Sequence, residues 1–121
     1  MFVIDQTSLF WWPVTVRWPS NEKPGQFDEQ TFQMQFELLS RDETKKIFDD
    51  ARAAGRSGED ANDELMRRVC KGWRDVQDVS GKSVAFTPES FAEAWRRAPV
   101  RIAVNEAYTA AMNGEAARLG N

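Results

Sequence analysis

The hydrophobic pattern of the chain changes its period once, at Ser40, and this change restricts the fold more than any other feature. From Phe32 to Leu38, large apolar residues alternate with polar ones, which is typical of a half-buried strand. After Ser40 the apolar residues recur every three or four positions, as on one face of a helix. Glu43 stands three residues after Ser40, the spacing of a capping box. The chain is therefore expected to have a β part followed by a helical part.

A second alternating segment comes earlier and predicts a β-hairpin. Apolar residues occupy the even positions from Phe10 to Trp18, and Pro13 within this segment indicates an edge strand. Residues 19–25 are polar and contain two prolines and a glycine, as in a connection longer than the tightest turns. We therefore predict a hairpin over about residues 10–39. The residues expected to be buried together on its second strand are Phe32, Met34, Phe36 and Leu38.

Four helices are predicted over about residues 41–113. The first ends near Gly55, the third begins at Pro88 and the fourth at Pro99, because glycine favours helix ends and proline favours the first turn. The second extends to about Trp73, since every fourth residue from Ala61 onwards is apolar. The residues of the first helix that are expected to cover the hairpin are Ile47, Phe48 and Ala51.

The order of these elements predicts an α+β fold. Between the second and third helices, residues 76–86 carry the turn signal Ser80-Gly81, which predicts a short hairpin or an ordered loop. The length of 121 residues is that of one domain. Strands followed by helices indicate a single domain, residues 1–121, in which an N-terminal antiparallel hairpin packs on about four α-helices.

The residue types present argue against catalysis. Histidine is absent, which excludes Ser-His and Cys-His pairs and His-ligated metal sites. Cys70, the single cysteine, shares a face with Met66 and is expected to be a buried structural thiol. The acidic residues match no cation-binding loop, and there is no glycine-rich phosphate loop. We predict a protein with no enzymatic activity, metal or cofactor.

Charge and hydropathy indicate a cytoplasmic protein. The net charge of −3 and the pI near 5.0 do not favour binding to nucleic acid or to an acidic membrane face. The apolar run over residues 9–14 is far too short to cross a bilayer. A single cysteine offers no intrachain disulfide, as is usual in a reducing compartment.

Candidate binding residues are apolar or basic side chains expected at the surface. Trp11 lies on the opposite side of its strand from Trp12, which places an indole near Leu9 and the apolar residues 2–4. The other tryptophans fall on faces expected to be buried. An exposed apolar surface beside an open strand edge predicts self-association. The candidates for protein contacts are Leu9, Trp11, Arg96, Arg97, Tyr108 and Met112.

The arginine pairs leave a second interpretation open. Arg67-Arg68 and Arg96-Arg97 make the second and third helices locally basic, as in a DNA-binding regulator. Acidic residues interleave with these arginines at the spacing of intrahelical ion pairs, which favours ordinary solvated faces.

Several segments carry a family resemblance. The most specific runs from Lys71-Gly72-Trp73-Arg74-Asp75-Val76 through Asp78, Ser80-Gly81 and Phe86-Thr87-Pro88-Glu89. Residues 14–25 and 31–43 and the proline-initiated helix at Pro99-Val100-Arg101 extend the match over nearly the whole chain. In these segments the chain resembles the tail assembly chaperones of long-tailed, non-contractile bacteriophages and related prophages.

The resemblance implies a non-catalytic helper of virion assembly. Such a protein binds the long, hydrophobic, helical tape measure protein, keeps it soluble and extended, and recruits tail tube protein around it. It acts in the bacterial host cytoplasm and is absent from the mature virion. Such genes often make a longer product by programmed frameshifting, which would diverge near residues 114–121. The alternatives are a small structural head or tail completion protein, which stays in the particle, and the DNA-binding regulator.

Overall fold

A computed structural model describes residues 1–117 and contains a three-stranded antiparallel sheet and four helices. The strand order in the sheet is β1-β2-β3. The predicted α+β domain, with its N-terminal hairpin and four helices, is confirmed. Residues 118–121, the end of the segment at which a longer form would diverge, lie outside the described residues. The elements are β1 (Leu9–Pro19), β2 (Phe27–Glu37), α1 (Arg41–Ala53), α2 (Gly58–Val69), β3 (Cys70–Arg74), α3 (Pro88–Trp95) and α4 (Ala98–Met112).

The hairpin follows the predicted register closely. Pro13 lies in β1, which is an edge strand of the sheet, opposite Gln33 of β2. The even-numbered residues of both strands share one face, on which Val14 and Phe36 are fully buried. At the turn, Gly25 has a φ of 80°, a backbone conformation that favours glycine.

Only part of the predicted core face is buried. Met34 and Phe36 are buried, Phe32 is half-buried, and Leu38 is 47% exposed. The prediction for Leu38 is wrong because β2 ends at Glu37. The chain then turns towards α1, and the N–H of Leu38 donates to the carbonyl oxygen of Ser8 (2.7 Å) at the edge of the molecule.

The helix that covers the hairpin is α4 rather than α1, so this prediction is also wrong. Helix α4 packs on β1, and the centroids of the Tyr108 and Phe36 rings lie 5.5 Å apart. Helix α1 packs on α2, with Ile47 and Phe48 at the margin of the core. Eight of the thirteen residues of α1 are charged, which leaves a narrow apolar stripe, whereas α4 is apolar around more of its circumference.

Helix α4 also covers the middle of β1, along the sheet edge that the sequence predicts to be open. It runs antiparallel to β1, since Pro99 shares a cleft with Pro19 and Ala110 shares another with Pro13. In the middle of β1, Val14 and Thr15 are both buried although they lie on opposite faces. Helix α4 therefore covers this middle part of the sheet edge, while both ends of β1 stay exposed.

The second helix ends at Val69, and the chain continues directly into β3. Cys70 is extended (φ −83°, ψ 113°), and Trp73 lies opposite Met34 in the sheet. The prediction that Trp73 lies on the second helix is therefore wrong. Gly72 disfavours a helix, and β3 pairs with backbone groups along β2 that a longer second helix would leave unpaired.

Arg68 ties the helices to the sheet at this junction. Its guanidinium donates to both carboxylate oxygens of Glu37 (3.0 and 3.3 Å) and to Glu43 (3.3 Å). These hydrogen bonds from Arg68 are the main reason why the pKa of Glu37 lies below its usual value. Solvent screens the network, because the Arg68 side chain is 37% exposed.

The burial of Cys70 makes a prediction about its reactivity. The thiol is buried between α2 and β3, and burial raises its pKa to about 12. We expect a thiol reagent at neutral pH to leave the folded protein unlabelled and to react at once in denaturant. Labelling of the native protein at the rate of a free thiol would contradict the burial of Cys70.

Candidate protein-binding surfaces

Exposed apolar side chains occur at the end of the sheet where β1 begins and β2 ends. Leu9 is the first residue of β1 and is 42% exposed. Leu38 directly follows β2 at the same end of the sheet. Residues 2–4, which lead into this edge, are also exposed. A cluster of this kind marks an interaction site more often than scattered apolar residues do. We call this surface the N-terminal patch, and its members are Phe2, Val3, Ile4, Leu9, Trp11 and Leu38.

Trp11 is the largest side chain of the N-terminal patch on the sheet itself. It lies on the outer face, opposite Gln35, and is 38% exposed. The guanidinium of Arg74 stands 4.2 Å from the centre of the Trp11 ring. Arg74 forms no ion pair with another described residue. The patch therefore combines an apolar surface with the guanidinium of Arg74, which can pair with a carboxylate of a partner.

The two candidates on α4 have different surroundings. Met112 is 40% exposed, and the antiparallel course of α4 along β1 brings it to the same end of the molecule as Leu9. Tyr108 is half-buried against Phe36, and burial raises the pKa of its hydroxyl. Met112 is thus available to a partner at this end, whereas Tyr108 serves mainly as packing.

A second apolar surface lies at the other end of the hairpin. Trp18 is on the expected face but is 38% exposed, so the prediction that it is buried is wrong. The hairpin extends past the helices that cover its inner face, which leaves a groove of about 530 Å³. Alternation in sequence shows which face a residue takes, but not where the covering layer ends. We call this surface the Trp18 groove; its apolar lining is Val16, Trp18, Phe32, Trp73, Val76, Ala94 and Val100.

The predicted basic residues lie at a third place, along α3 and beside its end. Arg96 borders a cleft between α2 and α3, on whose floor the rings of Phe91 and Trp95 stack 5.2 Å apart. Arg97 is exposed at the N-cap of α4. Arg96 pairs with Glu93 (3.3 Å), within its own turn of helix. The charge of this region is therefore mixed, which does not favour the phosphate backbone of DNA.

The described residues hold no group of three or more Cys, Asp or Glu side chains placed to bind a metal ion. Within the same residues, no helix is both long and apolar enough to span a membrane.

Comparison with protein-family models, with curated proteins and with solved structures finds no match for this chain. The functional interpretation therefore depends on the surfaces described above and on the resemblance in sequence.

Proposed function

We propose that this protein is a non-catalytic chaperone of phage tail assembly that binds the tape measure protein and assists assembly of the tail tube around it. The observation that carries the proposal is the N-terminal patch, where exposed apolar side chains lie at one end of the sheet, at the start of β1 and just after β2. Binding would take place in the bacterial host cytoplasm, before the mature virion is complete.

The chemistry of the N-terminal patch suits a helical client. An amphipathic helix docks by placing apolar residues three, four or seven positions apart on an apolar surface. Leu9 and Trp11, on the outer face of β1, offer such a surface, and the exposed Leu38 and Met112 add apolar side chains at the same end of the molecule. Arg74 beside Trp11 favours a client helix with acidic residues next to its apolar stripe.

The charge of the chain is compatible with carrying an apolar patch. The net charge of −3 opposes non-specific aggregation while the patch is free. Since the patch is apolar, its complex with a client should be only weakly sensitive to salt.

Co-expression with a fragment of the tape measure protein tests the proposal. The chain is expected to keep the fragment soluble and to be captured with it, and Trp11→Ser is expected to reduce capture at least about tenfold, as for a central interface tryptophan. Trp18→Ser is the matched control, because Trp18 lies on the same strand and is equally exposed. Equal capture by both variants and the native chain would contradict a client site at the patch.

The same experiment separates the alternatives. The double variant Arg96→Ser with Arg97→Ser should leave capture unchanged, and higher salt should weaken it little. Tight DNA binding that is lost with this double variant and falls steeply with salt would instead support the DNA-binding regulator. Recovery of the chain from purified virions would support a structural head or tail completion protein.

A further inference from the structure

The segment between β3 and α3 forms an ordered loop with an exposed apolar tip. Gln77 and Ser83 form an isolated antiparallel β-bridge, and the backbone N–H of Asp78 donates to the carbonyl oxygen of Lys82 (2.8 Å). The carboxylate of Asp78 accepts hydrogen bonds from the N–H and the hydroxyl of Ser80 and from the N–H of Lys82. Val79 stands at the tip, fully exposed. We call residues 77–83 the Val79 loop.

The Val79 loop lies beside the Trp18 groove on the same side of the molecule. Val76 and Gln77, at the base of the loop, are also part of the groove wall. An apolar knob and an apolar groove thus belong to one surface patch. A patch that contains both parts can pair with a copy of itself across a twofold axis, so that each knob enters the groove of the partner.

The charges of this surface are also self-complementary. Lys82 is an exposed cation on the Val79 loop, and Asp75 is an exposed carboxylate at the groove. Neither forms an ion pair with any other described residue. In a twofold pair, the loop of each copy brings Lys82 towards the groove in which the partner carries Asp75, so opposite charges meet twice.

We propose that the Trp18 groove binds the Val79 loop of a second copy of this chain, which gives a twofold dimer. Preorganisation of the loop lowers the entropy lost on docking. The contact is small, as in weak and transient interfaces, so the dimer forms in the micromolar range. This proposal is independent of the client site, because the N-terminal patch lies at the opposite end of the hairpin.

Sedimentation of the full chain from low to high micromolar concentration tests the dimer. The native chain is expected to dimerise, and Val79→Ser is expected to weaken the dimer about tenfold, the equivalent of about 1.4 kcal/mol. Lys82→Glu should weaken it as well, and more strongly at low salt. Neither exposed side chain supports the core, so both variants should fold with native stability. A native chain that stays monomeric throughout would overturn the proposal.

Cysteine cross-linking locates the contact. Mixing a Val79→Cys chain with a Trp18→Cys chain under mild oxidation should give the mixed disulfide dimer in excess over either self-linked dimer, while the buried Cys70 stays unlinked. A native dimer that tolerates Val79→Ser and Lys82→Glu but dissociates on Trp11→Ser would place the interface at the N-terminal patch and overturn the proposal.

Discussion

Replacing Phe36 with alanine is expected to lower the free energy of unfolding by about 3–5 kcal/mol, the range for a fully buried phenylalanine. Phe36 has no exposed surface. Its ring packs between Phe10 of the neighbouring strand (5.7 Å) and Tyr108 of α4 (5.5 Å), so the substitution leaves a cavity where the hairpin meets the covering helix. Urea unfolding followed by tryptophan fluorescence measures the loss.

Leu38→Ala is the control for this measurement. Leu38 belongs to the same alternating set in the sequence but is 47% exposed, so its truncation should change the stability by less than about 1 kcal/mol. Equal losses for the two variants would show that the chain continues its strand through Leu38. A loss below about 1 kcal/mol for Phe36→Ala would show that this residue is not part of the core.

Features that depend on near neighbours in sequence could be predicted. The capping box of Ser40 and Glu43 is present, with both hydrogen bonds at 3.1 Å, because its two partners are three residues apart. Thr87 caps α3 in front of Pro88 for the same reason. The alternating faces of the hairpin follow from the pleat of a strand alone.

Features that depend on distant partners could not be predicted. Residues 61–73 have one apolar period, yet the helix ends at Val69, because β2 offers a pairing edge to the residues that follow. The choice between α1 and α4 as the cover of the sheet depends on which apolar stripe is wider, a comparison between separate elements. Only the structure shows where the covering layer stops and Trp18 becomes exposed.

The exposure of the candidate binding residues could be predicted in part. Leu9 and Trp11 are candidates because Trp11 lies on the opposite side of its strand from Trp12, and both are exposed. The turn signal Ser80-Gly81 predicts the Val79 loop but does not identify it as a candidate contact surface. A valine at the tip of a turn becomes informative only when hydrogen bonds show that the loop has one shape.

Replacing Trp73 with alanine is expected to lower the free energy of unfolding by about 3–5 kcal/mol, a loss comparable to that at Phe36. The Trp73 indole packs edge-to-face with the rings of Phe32 and Phe86, at centroid distances of 6.2 and 5.1 Å. Its N–H donates to the carbonyl oxygen of Val84 (2.7 Å), which fastens the far side of the Val79 loop to β3. Denaturant unfolding of the variant and the native chain measures the difference.

Trp73→Phe separates the hydrogen bond from the packing. Phenylalanine keeps most of the ring contacts but cannot donate to Val84, and loss of one such bond is worth about 1 kcal/mol. Because the bond holds the loop, the exchange of the Asp78 and Val84 amide hydrogens should accelerate more than the loss of global stability explains. The dimer should weaken in parallel, since a loosened loop loses more entropy on docking and Trp73 itself lines the Trp18 groove. If amide exchange follows global stability alone, the shape of the loop does not depend on Trp73.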